Sequence, residues 1–341
     1  MTDFHVYGLG NALVDIEIEI DIEELSHLGV EKGIMTLIDE ARHHELLNKV
    51  QGKQHQRACG GSAANTTIAV AQLGGNSFYS CRIGNDETGD FYYTDLHNEG
   101  VMTNLANTSR EEGITGKCLV MITPDADRSM NTFLGITSEL TESLLDYEVL
   151  AKSQYLYIEG YLAASPTAVD TSVKAINKAR ELSVPVAFSL SDTSMVQFCR
   201  EGIDALLEGG VDLLFCNEAE ALAYTGSETI SEACEALKKI AKQFVITLGA
   251  KGSLAFDGND YHDIKAYKVE AIDTNGAGDL FAGAFLFSLT HGLPVTSAGA
   301  IASFASAKLV TSFGPRLNQQ HLIEVRAEVR AEVNKYVGKN D

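Results

Sequence analysis

Short apolar runs alternate with segments of helical length along most of the chain, and this alternation restricts the fold more than any other feature. The runs are rich in β-branched and aromatic residues and end at polar or glycine positions: HVYGLG, NSFYSCRIG, YLYIEGYL, VPVAFSLS, VDLLFCN and FVITLG. The helical segments between them are 62–73, 86–99, 166–182, 192–208, 218–225 and 231–242. This pattern predicts an α/β domain whose mainly parallel sheet is covered on both sides. Three further helices are predicted between 279 and 334.

Two segments interrupt this rhythm. In 13–56 the run LVDIEIEIDI alternates apolar and acidic residues, which predicts a strand with one solvated face. In 104–137 the runs GKCLVMITP and RSMNTFLG predict two more strands. We therefore expect a small β-rich lid, formed by 13–56 and 104–137, inserted into one large α/β domain formed by 1–12, 57–103 and 138–341.

The surplus of acids over bases excludes several classes of partner. Lys and Arg total 26 and Asp and Glu total 47, so the formal net charge is −21. Binding to nucleic acid or to an anionic membrane needs clustered positive charge, so we expect a small-molecule substrate, no nucleic acid and no membrane. The N-terminus does not resemble a signal peptide, and no apolar stretch approaches the length of a membrane span. The six cysteines form no C-x-x-C pair, which favours reduced thiols and a cytoplasmic location.

The segment DTNGAGD at 273–279 carries the most specific chemical signal. It leads into the apolar helical run LFAGAFLFSL. A small-residue loop that enters a helix presents unpaired backbone N–H groups at the positive end of the helix dipole, which makes an anion site. Asp279 at the helix start would repel an anion, but it would be well placed to take a proton from a hydroxyl that attacks a phosphate. A plain helix cap is the alternative.

Three further clusters show weaker signals. Gly60 and Gly61 precede a helical run that contains Asn65, and this arrangement suits either a polyhydroxylated ligand or close packing of a helix on the sheet.

Asn217 and Glu220 follow the run VDLLF and share one helix face. They could orient the waters of a Mg²⁺ ion, or they could cap a helix. Thr247, Gly249 and Gly252 form a turn at another strand end, which suits either a nucleotide or a simple hairpin. No P-loop is present, and Leu13 replaces the third glycine of a dinucleotide fingerprint.

In this order and spacing, the four segments resemble the PfkB (ribokinase-like) family of carbohydrate and nucleoside kinases. GGSAANTTIAVAQLGG and DTNGAGDLFAGAFL look like its two signatures, and the resemblance covers nearly the whole chain. It implies a ribokinase-like three-layer α/β/α fold and an ATP- and Mg²⁺-dependent kinase that phosphorylates a primary alcohol. It also implies roles for individual residues. Asp279 would be the base, and the anion hole would be formed by Asn275, Gly276, Ala277 and Gly278. Substrate hydroxyls would be bound by Gly60, Gly61 and Asn65, Mg²⁺ would be held through water by Asn217 and Glu220, and the ATP site would be lined by Thr247, Gly249 and Gly252.

The segment GNALVD at 10–15 looks most like the adenosine kinase branch of the family, with Asn11 and Asp15 among the substrate ligands. Arg128 is similar to a lid arginine of that branch that helps to hold the transferred phosphate, which places it with the catalytic residues. Tyr161 and Phe133 are candidates to contact a base, although both could be core residues. The resemblance also suggests a K⁺ site near Asp273 and the carbonyl groups at 312–314.

Alternatives remain open from the sequence. A free pentose or hexose could be the substrate, because the lid segment 16–56 offers no clear aromatic clamp for a purine. A nicotinamide-dependent oxidoreductase and a non-catalytic sensor on the same fold are two further alternatives. The oligomeric state is open between a monomer and a homodimer.

Overall fold

The computed structural model describes residues 2–125 and 127–337, so residues 1, 126 and 338–341 of the predicted domains lie outside the described residues. The strands are β1 (Phe4–Leu9), β2 (Leu13–Glu19), β3 (Met35–Leu37), β4 (Gln54–Gly60), β5 (Ser77–Ser80), β6 (Met102–Thr103), β7 (Gly116–Ile122), β8 (Arg128–Phe133), β9 (Ser153–Glu159), β10 (Val186–Ser189), β11 (Val211–Asn217), β12 (Ala241–Thr247), β13 (Ser253–Phe256) and β14 (Tyr261–Ile264). The α-helices are α1 (Ile22–His27), α2 (Glu40–Lys49), α3 (Ser62–Gln72), α4 (Glu87–Asn98), α5 (Tyr147–Leu150), α6 (Pro166–Glu181), α7 (Thr193–Phe198), α8 (Arg200–Leu206), α9 (Glu218–Thr225), α10 (Ile230–Leu237), α11 (Ala277–Thr290), α12 (Val295–Leu309) and α13 (Gln319–Val337).

The larger sheet has nine strands in the order β14-β13-β12-β11-β10-β9-β1-β5-β6. Neighbouring strands from β12 to β6 run parallel, and β13 and β14 add an antiparallel edge. Helices cover both faces, as the apolar runs predict. On β1, for example, Val6 packs into the core on one face of the sheet, and Tyr7 and Leu9 pack into the core on the other. Full burial of each such apolar side chain stabilises the fold by about 1.5–3 kcal/mol.

A second sheet has five strands in the order β3-β8-β7-β2-β4. Its outer face packs on α1 and α2 through an apolar cluster that includes Ile18, Leu25 and Leu46. The prediction of a solvated face on β2 is wrong, because the side chains of Asp15 and Glu17 are only 6% and 1% exposed. They lie on the inner face of the sheet, which is covered by the larger domain. The predicted domain boundaries stay a prediction, and β4 runs through the boundary at 56/57.

Several helix predictions also need correction. The segment 192–208 contains two helices, α7 and α8, which meet at Cys199. The segment 231–242 stops being α-helical after Leu237, because residue 241 already begins β12. The three helices expected after 279 are confirmed as α11, α12 and α13. All six cysteines are free thiols. Within 2–125 and 127–337, no helix is both long and apolar enough to cross a lipid bilayer.

Candidate active site

A cavity of about 720 Å³ lies between the two sheets. On the side of the larger sheet, its walls come from the ends of successive parallel strands and the turns that follow them: Asn11, Glu159, Ser189, Asn217 and Thr247. Ligands of open α/β sheets bind at this carboxyl edge, where parallel strands release their loops. The inner face of the second sheet closes the cavity from the opposite side. The volume suits a small-molecule ligand.

Asp279 lies at the start of α11 and is held by α3. Its Oδ1 accepts a hydrogen bond from Ser62 Oγ at 2.7 Å, and its Oδ2 accepts one from Asn65 Nδ2 at 2.9 Å. Burial raises the pKa of the Asp279 carboxyl above its ordinary value, while the two hydrogen bonds and the charge of Arg128 oppose that rise. The result is an oriented carboxylate that faces the cavity with lone pairs still free to accept a proton.

The loop before α11 presents backbone amide groups to the cavity. Gly276 adopts a left-handed conformation with φ of +71° and serves as the N-cap. The helical bonding of α11 begins with the bond from Leu280 N to Gly276 O, so the helix's own bonding leaves out the amides at 277–279. The predicted anion hole needs correction, because Asn275 N donates to Asp273 Oδ1 at 2.8 Å and Ala277 N donates to the carbonyl of Thr274 at 3.3 Å. The amides at 278–279 are the ones left for an anion. A Cβ added at Gly278 would meet nothing within 4 Å, which leaves open space beside that amide. This arrangement can bind an anion.

Arg128 reaches from β8 of the second sheet to this loop. Its Nη1 donates to the carbonyl of Thr274 at 2.7 Å, and its side chain lines the cavity. From the same sheet, Glu17 Oε1 accepts a bond from Asn275 Nδ2 at 3.3 Å. Two contacts therefore bring the second sheet against the segment 273–279, called the anion loop below, and place a positive charge beside it.

Asp15 projects from β2 into the cavity beside the turn that contains Gly60 and Gly61. A Cβ at Gly60 would lie 2.2 Å from the Asp15 carboxylate, so any larger residue there would force the Asp15 side chain to move. Burial, together with the charges of Glu17 and Asp279, holds the pKa of Asp15 well above its usual range. Gly61 has φ of +93° and lies against the backbone of Asn11, which makes glycine necessary there.

Asn217 and Glu220 form the capping box of α9. Glu220 Oε2 accepts from Asn217 N at 2.9 Å, Oε1 accepts from Asn217 Nδ2 at 2.6 Å, and Asn217 Oδ1 accepts from Glu220 N at 2.8 Å. Both residues line the cavity. Burial raises the pKa of Glu220 to about 7, so a cation nearby would favour its ionised form. The cap explains the local fold, and the position in the cavity leaves room for a second role.

The turn after β12 lines the far end of the cavity. Gly249 has φ of +57° with open space around it, while Gly252 has φ of +101° and lies against the backbone of Ile264. Thr247, Gly249 and Gly252 all face the cavity, next to the segment 266–269. This wall combines backbone turns with the partly exposed ring of Tyr267, which suits a flat ligand group.

Comparisons with known proteins agree with this geometry. Residues 32–322 match the model of the pfkB family of carbohydrate kinases. The chain belongs to this family. It is therefore a phosphotransferase that acts on an alcohol group, and the oxidoreductase alternative is wrong.

Solved structures and curated sequences give relatives of this pfkB-family kinase. It is 31% identical to a probable sugar kinase protein from Rhizobium etli CFN 42, covering 98% of this chain and 100% of that one, with a TM-score of 0.90. It is 33% identical to the adenosine kinase from Sinorhizobium meliloti, covering 95% and 99% of the two chains, with a TM-score of 0.90. It is 26% identical to the ribokinase of Lactococcus lactis subsp. lactis over 84% of this chain and 91% of that protein.

Three predicted site residues of the kinase do not line the cavity. Phe133 lies on the outer face of β8, with its ring centroid 6.1 Å from that of His43, because alternate residues of a strand point to opposite faces. Thr132 and Leu134 face the cavity instead. Gly60 lies behind the cavity wall and makes room for Asp15. Asp273 is buried, and its carboxylate accepts bonds from the amides of Asn275 at 2.8 Å and Gly314 at 2.9 Å.

Two residues of the kinase site escaped the sequence analysis. Ser62 donates to Asp279, but a serine among small residues is equally typical of helix packing. Glu159 is fully buried, and its two oxygens accept bonds from the amides of Asn11 at 2.7 Å and Ala63 at 2.6 Å. A single acid at the end of an apolar run was an available signal. Tyr161 does line the cavity, and its hydroxyl donates to the carbonyl of Ser191 at 3.4 Å.

The kinase cavity itself is not free of negative charge. Arg128 and Lys268 are basic, but four acids also line it: Asp15, Glu159, Glu220 and Asp279. The cavity is therefore less acidic than the rest of the chain only around the anion loop and Arg128. Among the described residues, no group of three or more His, Cys, Asp or Glu side chains forms a ready-made metal site.

Proposed function

We propose that this kinase transfers the γ-phosphoryl group of ATP to the primary alcohol of a ribonucleoside that resembles adenosine. The observation that carries the proposal is a buried acceptor without a partner. Asn65 donates its amide N–H to Asp279, and in the described residues its buried Oδ1 has no hydrogen-bond partner. Such an atom is costly to leave unsatisfied, and a sugar hydroxyl placed beside Asp279 would satisfy it.

The choice of a nucleoside over a free sugar rests on the wall next to these polar groups. The inner face of the second sheet offers mainly apolar side chains to the cavity: Leu13, Met35, Leu37, Cys118, Met130 and Leu134. Cys118 pairs with Asp15 on the neighbouring strand, so the apolar wall begins directly beside the polar groups of Asp15, Asn65 and Asp279. A free pentose or hexose carries hydroxyls all round and would leave this wall uncovered, whereas a nucleoside has a base to place against it. The 33% identity to the adenosine kinase of S. meliloti supports the same choice.

The residues present fit ATP with Mg²⁺. The open turn at Gly249 and the neighbouring Thr247 and Gly252 would hold the nucleotide, and the first turn of α11 would receive its terminal phosphate. Asn217 and Glu220 would hold Mg²⁺ through water, since Mg²⁺ keeps several waters and needs only one or two protein carboxylates. ATP bound there would supply the phosphoryl group.

The residues of the chain then divide the remaining tasks. Asp15, Asn65 and the turn at Gly61 orient the alcohol by its sugar hydroxyls. Asp279 accepts the hydroxyl proton on a carboxylate oxygen, and its raised pKa makes it a better proton acceptor than an ordinary aspartate. Arg128 and the amides at 278–279 stabilise the negative charge of the group in transfer, where positioning and charge stabilisation account for most of the rate. The contacts of Arg128 and Glu17 with the anion loop hold the second sheet over the site.

Two further features belong to the proposal. A K⁺ ion near Asp273 stays a prediction from family resemblance. The Asp273 carboxylate already accepts two amide bonds, so such an ion would rely on carbonyl oxygens. The cytoplasmic location likewise stays a prediction.

A panel of acceptors tests the function. ADP release is followed with a coupled assay against adenosine, guanosine, cytidine, ribose and fructose at fixed MgATP. We expect saturation by adenosine with the highest kcat/KM of the panel. A higher kcat/KM for a free sugar would overturn the nucleoside assignment, and so would the absence of ADP release with all three nucleosides.

A further inference from the structure

The two glycine motifs of the site are joined by a short segment that follows α12. Gly314 N donates to Asp273 Oδ2 at 2.9 Å. The backbone of Pro315 packs on Gly276 so closely that a Cβ there would lie 2.8 Å from Pro315 Cα. The segment 314–315 therefore rests directly on the anion loop.

The next residue, Arg316, points to the other motif. Its Nη2 donates to the carbonyl of Cys59 at 2.6 Å and to Asp95 Oδ2 at 2.8 Å, and its Nη1 donates to Glu99 Oε1 at 3.2 Å. Asp95 in turn accepts a bond from Cys59 N at 2.7 Å. Both backbone groups of Cys59 are thus held by one ion pair, and Cys59 immediately precedes Gly60 and Gly61.

The contact between Arg316 and Cys59 lies where the chain leaves the second sheet, next to the turn at Gly60 and Gly61. β4 pairs with β2 in the second sheet, and at Gly60 the chain passes from that sheet into α3 of the larger domain. α3 is already fixed to α11 by close packing, since a Cβ at Gly283 would lie 2.6 Å from the carbonyl of Thr66. The end of β4 is held from the side of α4, where Asp95 accepts from Cys59 N and the Tyr92 hydroxyl donates to the carbonyl of Gly60 at 3.1 Å. Its position sets the placement of Gly60 against Asp15.

The guanidinium of Arg316 is also mostly buried, at 13% exposure. A buried ion pair is a weak source of stability, because desolvation offsets much of the attraction between the charges. Arginine differs from lysine here, since its planar fork can bind a carbonyl and two carboxylates at once. The charge of Arg316 also counteracts the burial and the neighbouring carboxylates that together raise the pKa of Asp15.

We propose that Arg316 is a positioning residue that fixes the Cys59–Gly61 turn against the anion loop and thereby shapes the acceptor subsite around Asp15. This inference rests on the proposed function for its kinetic part. Arg316 does not line the cavity, so it acts through the turn rather than on a ligand. Its loss should weaken binding of the alcohol and spare ATP, whose walls lie at 217–220 and 247–252.

The test uses Arg316→Lys, which keeps the charge but loses the fork, and Arg316→Met, which removes both. Arg57→Met is the matched control, because Arg57 also links β4 to α4, through Glu87 at 3.3 Å, without touching the Cys59 backbone. For both Arg316 variants we expect the KM for the alcohol to rise on the order of tenfold, a size typical of a displaced subsite, while the KM for ATP changes by less than about twofold. Thermal melting verifies folding, and Arg316→Lys decides the matter if Arg316→Met does not fold.

A second readout does not depend on the substrate. Hydrogen–deuterium exchange should accelerate in the peptide that contains 59–62 of Arg316→Lys and stay unchanged in Arg57→Met. Equal effects on both KM values, a loss of kcat alone, or the same pattern in Arg57→Met would show a general structural role and overturn the inference. Unchanged exchange at 59–62 would overturn it as well. A wild-type protein that phosphorylates no alcohol would contradict the proposed function but leave the exchange test decisive for Arg316.

Discussion

Replacing Asp279 by Asn separates a catalytic base from a carboxylate that only links α11 to α3. The N-cap of α11 is Gly276, so the cap alternative for Asp279 is wrong. The structure accommodates the change: an Asn carbonyl oxygen can accept from Asn65 Nδ2, and the Ser62 hydroxyl can turn to accept from the new amide group. The fold should therefore survive, while the proton acceptor is lost. General base catalysis contributes about 10²–10⁴-fold, so kcat should fall by that factor, which corresponds to about 3–5 kcal/mol in the barrier.

The same substitution should make the protein more stable. The pKa of Asp279 is raised in the folded state, so the ionised carboxylate is disfavoured there relative to the unfolded chain. Above that raised pKa the charge destabilises the fold, and removing it should raise the melting temperature at neutral pH. ATP binding should stay the same or strengthen, since a negative charge near the phosphates is lost.

The assays are steady-state ADP release, ATP binding by calorimetry and thermal melting. Asp192→Asn is a suitable control, because it removes one carboxylate outside the cavity and leaves an equally good N-cap on α7. Its kcat should stay within about threefold of the wild type, as expected for a residue outside the cavity. An Asp279→Asn protein with near-normal kcat and a lower melting temperature would refute the base assignment and establish a structural role for the carboxylate.

Two other predictions concern ionisation. Ser62→Ala removes a hydrogen bond that lowers the pKa of Asp279, so the acidic limb of the kcat/KM profile should move to higher pH, whereas a purely structural role would leave its midpoint in place. Glu220→Gln can keep the bond from Asn217 N but loses the one from Asn217 Nδ2, and it should raise the Mg²⁺ concentration needed for half-maximal rate several-fold. Glu232→Gln, a change in the surface capping box of α10, should not raise it. In the wild type the Mg²⁺ requirement should increase as the pH falls below about 7, where Glu220 takes up a proton.

The sequence predicted the parts of this molecule that depend on local pattern. Strands that are apolar on both faces predicted the parallel sheet, because such strands are stable when helices cover both faces of the sheet. The motifs at 217–220 and 247–252 meet at one edge, because the parallel strands β11 and β12 release their loops there. The motifs at 60–65 and 273–279 reach the same cavity because they begin α3 and α11, which pack closely on each other. Asp15, Asn65 and Asp279 accordingly line one cavity.

Features that depend on what covers a face were beyond the sequence. The alternation of β2 shows two different faces, but it does not reveal that the acidic face is covered by the larger domain. The prediction that Phe133 contacts the ligand is wrong for a related reason: the alternation of side chains along a strand does not show which face of the sheet meets the cavity. The hydrogen bond from Arg316 to Cys59 joins residues 257 positions apart, and no local sequence pattern predicts it.

The position of the transferred phosphate tests the central claim most directly. The enzyme is incubated with MgATP and adenosine, or with 5′-deoxyadenosine, which lacks only the primary alcohol, and the products are identified by ³¹P NMR. The account predicts one phosphate ester on the 5′ oxygen of adenosine for each ADP formed, and no phosphorylated product with 5′-deoxyadenosine. Equal phosphorylation of the deoxy compound, or ADP formed without any phosphorylated nucleoside, would contradict it.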